Sequence, residues 1–212
     1  MTNLKPSYRS EWLSLLWLLV VPILNIFYGV LNRAGDRVFS LQTNLDVLIP
    51  FTPGFIVPYL IWYPFITGVL IALAFRNRMV YFQTLIALCS GLIISYIFFA
   101  LFQTSIQRPE MHNQTGFIAQ LVRFVYTTDQ PYNCFPSIHV LTSYLMLRAG
   151  HVFNRTIHLF IAIISILIII STVLVKQHVV ADILGGILVG ELCFRLAKMV
   201  VIRKKVILLT PE

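Results

Sequence analysis

Apolar residues in this chain come in long blocks separated by polar segments. A hydrocarbon core about 30 Å thick needs roughly 20 apolar residues per helical crossing, so the blocks can be counted as candidate spans. Six emerge, from about Trp12 to Leu31, Gly54 to Ala74, Val80 to Phe102, Phe135 to Gly150, Ile157 to Val175 and Val179 to Val201. The fourth is short, at about 16 residues, and carries His139; such a helix suits a place inside the bundle, where neighbours shield its polar groups from lipid. The pattern predicts an all-α integral membrane protein, a bundle of six transmembrane helices in a single domain over residues 1–212. The first block is too long for the apolar core of a signal peptide and has no clean small-residue cleavage site, so it is read as retained.

Two longer polar stretches, Asn32 to Pro53 and Gln103 to Asn133, interrupt the blocks. The second is polar and aromatic without low complexity, which suits a lid or a short interfacial helix. Asp46, Pro50, Pro53, Pro58 and Tyr59 at the entry to the second span read as caps and punctuation. No internal repeat supports an inverted-repeat transporter.

Composition agrees with the blocks: of 212 residues, 58% are hydrophobic and only 11% charged, far from a soluble domain. The net charge of +8 does not form a basic stripe with exposed aromatics, so a nucleic-acid partner is excluded. Instead the cations sort by membrane side. With the N-terminus inside, Lys5, Arg9, Arg76, Arg78, Arg148, Arg155, Arg195, Lys198, Arg203, Lys204 and Lys205 fall on the cytoplasmic side; Arg33, Arg37, Arg108, Arg123 and Lys176 fall outside. The positive-inside rule therefore predicts both termini cytoplasmic. Cys89 and Cys193 lie in spans and Cys134 lies near His139, with no spacing that suggests a disulfide framework or a zinc site.

Ionisable side chains at membrane depth are expensive, and their presence there is a functional hypothesis. His178 and Asp182 stand four apart at the start of the last span, and His139 opens the fourth. On a helix, positions four apart share a face, so Asp182 can hold one ring nitrogen of His178 and leave the other free as base or nucleophile. A structural hydrogen bond between two buried polar groups reads equally well from that spacing alone. Pro136, Ser137 and Arg108 fall on the same predicted side. Pro136 as first helical residue would direct the free N–H groups of Ser137 to His139 at an anion. Arg108 offers a planar fork, Ser137 a hydroxyl and Lys176 a point charge for phosphate oxygens. Taken singly, Ser137 also reads as a cap and Lys176 as an interfacial anchor. A competing reading makes His139, His178 and Asp182 zinc ligands; the nearby cations weigh against it. His112, His151 and His158 read as surface residues.

Arg108-Pro109, then Pro136-Ser137-Ile138-His139, then Ser171 through His178 to Asp182 resemble, in order and spacing, the three motifs of the type-2 phosphatidic acid phosphatase superfamily, over about residues 101–190. The branch most resembled is that of inositol phosphorylceramide synthases, through Lys176 to Asp182 and the region Asp46 to Tyr59. The resemblance implies that His178 attacks phosphorus, Asp182 orients it and His139 protonates the leaving oxygen, with no metal or organic cofactor. It implies a lipid phosphate substrate within membrane lipids, at the outer face of a plasma membrane, bacterial by the compactness of the chain. Two family cations are replaced, by Leu101 and Thr172. Lys176 is expected to substitute. Hydrolysis is the preferred outcome, with transfer of a phospho-headgroup to an alcohol as the alternative; a transporter or scaffold that kept the fold without the chemistry is the third reading.

Overall fold

The computed structural model describes residues 8–111 and 114–209, with side chains from 12 to 111 and from 114 to 202. Lys5 and His112 lie outside the described residues, as do the side chains of Arg9, Arg203, Lys204 and Lys205. The described chain is all-helical: α1 (Tyr8–Leu15), a 3-10 turn (Leu16–Leu19), α2 (Val20–Leu31), α3 (Asn44–Leu48), α4 (Ile56–Arg76), α5 (Arg78–Leu101), α6 (Phe117–Thr128), α7 (Ile138–Ala149), α8 (Arg155–Leu174) and α9 (Val180–Leu209). Two isolated bridges, Phe39 with Thr104 and Ser105 with Tyr132, stitch the long loops together.

Four segments are long and apolar enough to cross a membrane: Trp12–Leu31, Pro53–Arg76, Arg78–Leu101 and Arg155–Leu174. Six had been expected, and the two that differ do so for separate reasons. Helix α7 has only 12 residues, about 18 Å, too short to cross alone. Nine of those residues are buried, as expected for a helix packed on all sides by other helices. Helix α9 has 30 residues, but Asp182 in its first turn and Glu191 and Arg195 at its middle make it less apolar than the other four. Side chains of the first segment are largely exposed, Trp12 and Ile26 among them, and supply a face that hydrocarbon would cover.

Helix α5 is central, with α2, α4, α7 and α9 packed on it, and α7 packs in turn on α4, α8 and α9. Small residues set how closely these helices approach. A Cβ on Gly91 of α5 would lie 2.8 Å from Leu141 Cδ1, and one on Gly186 of α9 would lie 2.7 Å from the Ser137 carbonyl oxygen. The second contact holds the first turns of α7 and α9 side by side. Both long loops, the starts of α7 and α9 and the end of α8 gather at one end of the bundle. At the opposite end Arg76 Nε donates to the Val152 carbonyl at 3.1 Å. The inner-side cations whose side chains are described belong to that second end or to the later turns of α9, so the two sets sorted by sequence are also separated in space.

Candidate active site

The site is assembled where α8 hands over to α9. The chain leaves α8 through a Schellman turn: Gln177 N–H donates to the Thr172 carbonyl at 2.9 Å and Lys176 N–H to that of Val173 at 3.2 Å. His178 N–H adds a third bond to the Thr172 carbonyl at 3.0 Å. The left-handed position of this turn usually goes to glycine, yet it is occupied by Lys176, with φ +53°. Its ammonium donates to the carbonyls of Asp46 and Ile49 at 2.9 and 2.6 Å, which ties the turn to the loop around α3. Two of its three donors are thus engaged away from any phosphate.

His178 lies before α9, not on it, so helical periodicity is not what pairs it with Asp182. Asp182 is the third residue of α9 and its Oδ2 reaches back over the helix start, accepting Val179 N–H at 2.9 Å and facing His178 Nδ1 at 3.2 Å. This is half of a capping box, and the same carboxylate that caps the helix orients the imidazole. A carboxylate accepts only, so Nδ1 carries the proton and Nε2 keeps its lone pair. His178 and Asp182 are 7% and 0% exposed, which strengthens the pairing by removing competing water.

Ser137, fully buried, is the N-cap of α7: its Oγ accepts Val140 N–H at 3.3 Å, and its own N–H donates to the Asp182 carbonyl at 3.2 Å. Pro136 therefore precedes the cap instead of being the first helical residue, because the Ser137 hydroxyl takes that place. One turn-start later, His139 is walled by Trp62 and Tyr59, with ring centroids at 4.0 and 4.6 Å, and its ring lies 5.7 Å from that of His178. Trp62 is itself held by its indole N–H, which donates to Thr142 Oγ1 at 2.7 Å.

Arg108 enters from the long loop. Its Nη1 and Nη2 donate to the carbonyls of Tyr126 and Asp129 at 3.1 and 2.7 Å, at the end of α6, and Nη2 also meets Gln177 Oε1. The guanidinium sits 4.5 Å over the Tyr126 ring. Asp129 was not singled out from sequence, since an acid between Thr128 and Gln130 looks like ordinary loop. In the fold its carboxylate accepts from Tyr28 at 2.5 Å, Asn32 at 3.3 Å and Tyr59 at 3.1 Å, joining Arg108's loop to the wall of His139. Trp62 and Gln177 gave no signal either, because their roles come from what lies beside them.

Among the described residues, eight buried side-chain polar atoms have no hydrogen-bond partner in the protein; four belong to this site, namely Arg108 Nε, His139 Nδ1, Gln177 Nε2 and Asp182 Oδ1. Buried polar groups are almost always paired, so their gathering here marks a place built for a polar ligand. A metal-capable trio also lies here: ligand atoms of Cys134, His178 and Asp182 are within 4.8 Å of one another. It differs from the trio weighed from sequence, with Cys134 in place of His139. Burial first, and then the Asp182 charge, push the Cys134 thiol well above its ordinary pKa, against a smaller opposite pull from Arg108.

A family model described as the PAP2 superfamily matches residues 81–205, more than half of the chain, from the first turn of α5 into the last turns of α9. The match includes Arg108, Ser137, His139, Lys176, His178 and Asp182 and leaves out Asp46, Tyr59 and Trp62. No curated protein and no solved structure matches the chain.

Proposed function

The chain belongs to the PAP2 superfamily, whose members are phosphatases and phosphotransferases, and on that footing we propose that it removes phosphate from a lipid phosphate through a phosphohistidine. The observation that carries this reading is the buried pair His178 Nδ1 and Asp182 Oδ2 at 3.2 Å, with the His139 ring 5.7 Å away. His178 Nε2 attacks phosphorus while the bond to the lipid oxygen breaks, and protonated His139 gives its proton to that oxygen. Water then attacks the phosphohistidine, His139 takes a proton from it, and the N–P bond breaks to release inorganic phosphate. Asp182 keeps the tautomer and stabilises the cationic ring. Arg108 and Ser137 serve the phosphoryl oxygens. Lys176 has one ammonium donor left for the same task.

The reading places the six helical segments as a single bundle, both termini cytoplasmic, with the active end at the outer face of a bacterial plasma membrane. Its support is the separation of the cations between the two ends.

Transfer to an alcohol, as in inositol phosphorylceramide synthases, is the second reading. It is favoured by the engagement of the region Asp46 to Tyr59 with the site, through Val180, Lys176 and His139. A transferase must also exclude water, and this site is largely buried.

The test is acid-base-resolved trapping after mixing purified protein with a lipid carrying labelled phosphate. An alkali-stable, acid-labile phosphoprotein that disappears in His178→Ala is expected; its absence from the wild type during turnover would sink the phosphohistidine. Product analysis with and without inositol or diacylglycerol-type acceptors separates the two outcomes. Inorganic phosphate is expected, and a product containing the acceptor without free phosphate would replace hydrolysis by transfer.

A further inference from the structure

Gln177 stands beside the proposed nucleophile and is 4% exposed. Its backbone cannot wander, because its N–H and that of His178 both end on the Thr172 carbonyl. Its side chain cannot flip either. Arg108 has only donors, so the amide must present Oε1 to the guanidinium and turn Nε2 away from it. Nε2 is buried and has no partner in the protein, and the same is true of Arg108 Nε. Two side chains locked to each other thus each keep a buried N–H donor without a partner in the protein.

A ligand that satisfies donors on both sides must be rich in acceptor oxygens, and a guanidinium beside it asks for negative charge. We propose that Gln177 is a substrate-binding residue whose side-chain amide, held by Arg108, donates to a non-bridging oxygen of the phosphoryl group. This rests on the phosphoryl-transfer reading above and adds a residue to it. The motif cation absent at position 172 supplies the need: Thr172 spends its hydroxyl on the Ile169 carbonyl at 2.7 Å and faces its own helix. Gln177 gives back a donor without a charge, so an amide joins Arg108, Ser137 and Lys176 at the phosphoryl group where the family pattern has more cations.

The test is Gln177→Glu. A carboxylate keeps an oxygen for Arg108, and improves that contact, but puts a second oxygen where the amide donated. Vanadate, an analogue of the transferred phosphoryl group, is titrated calorimetrically into wild type and variant, alongside turnover of a lipid phosphate. The variant is expected to bind vanadate at least about ten-fold more weakly, the size of one hydrogen bond to a charged group, with a raised KM and a melting temperature no lower than wild type. Unchanged vanadate binding in the folded variant overturns the proposal. Gln177→Met, which removes the donor without adding a charge, must also lose affinity, and unchanged binding there overturns the proposal equally. A wild type that neither turns over lipid phosphate nor binds vanadate would fell the phosphoryl-transfer reading itself, whereas turnover with unchanged variant binding removes Gln177 alone.

Discussion

Asp46 Oδ1 accepts the backbone N–H of Val180 at 2.7 Å, although the two residues are 134 positions apart. The other carboxylate oxygen takes the N–H and the hydroxyl of Thr43, each at 2.7 Å. One side chain therefore closes α3 and also the first turn of α9, where unpaired N–H groups favour negative charge. His178 is two residues away from that joint.

Asp46→Ala is expected to lower stability by roughly 1–3 kcal/mol, the cost of leaving buried donors without an acceptor, and to lower turnover with it. Thermal melting in detergent, paired with an activity assay, reads both. Asp46→Asn keeps one oxygen and should lose less.

The same carboxylate makes a prediction about acid. Burial alone would raise its pKa, but the N–H of Val180, the hydroxyl and N–H of Thr43 and the Lys176 charge together hold it below the ordinary carboxylate value. Its stabilising effect is therefore complete above the unfolded pKa of about 4 and disappears as pH falls from there through the lowered folded value. Melting temperature against pH should drop across that window in the wild type, and Asp46→Asn should flatten the drop.

Lys176 holds a left-handed backbone that costs a non-glycine residue roughly 1–2 kcal/mol, and its ammonium ties the turn to the α3 loop. Lys176→Ala is expected to lower melting temperature and turnover together. A rise in KM with no change in melting would assign the residue to phosphate binding alone.

Gly186→Ala pushes a methyl to 2.7 Å from the Ser137 carbonyl, so α7 and α9 must part. Overpacking of this kind costs about 1–3 kcal/mol, and turnover should fall further because His139 and His178 ride on those two helix starts. Gly68→Ala, with nothing within 4 Å of the added carbon, is the control and should be neutral or slightly stabilising.

Trp62→Phe removes the bond to Thr142 but keeps a ring against His139, and Thr142 Oγ1 still donates to the Ile138 carbonyl at 2.7 Å. A loss of about 1 kcal/mol is expected. Trp62→Ala removes the wall as well, about 3–5 kcal/mol, and a pH–rate profile should show a displaced limb for His139 if the ring's setting governs its proton transfer.

The legible parts of this molecule are those that a local rule can read. Long apolar blocks announce helices in lipid because unpaired backbone groups are intolerable there, and α4, α5 and α8 follow the blocks closely. His139, His178 and Asp182 were visible as polar residues in costly places, Arg108 and Ser137 as donors suited to phosphate, and the fold brings them to one end. Helix α7 was ambiguous because a short apolar run reads alike in a span and in a bundle core; only its neighbours distinguish them.

Other features exist solely through distance in the chain. Asp46 looked like a local cap, yet its second oxygen closes α9. Asp129 looked like loop, yet it joins Tyr28 and Tyr59. Gln177 looked like a neighbour of the histidine, and becomes a fixed donor only because Arg108 arrives from 69 positions away to claim its oxygen. Sequence by itself determined a helical chain apolar enough for a membrane, with histidines and a carboxylate at costly positions, since hydropathy and the cost of a buried charge are properties of the residues themselves. Tertiary structure alone decided which of the polar groups are already satisfied and which are left to meet a ligand, because a hydrogen bond depends on an acceptor's place in space and not on its place in the chain.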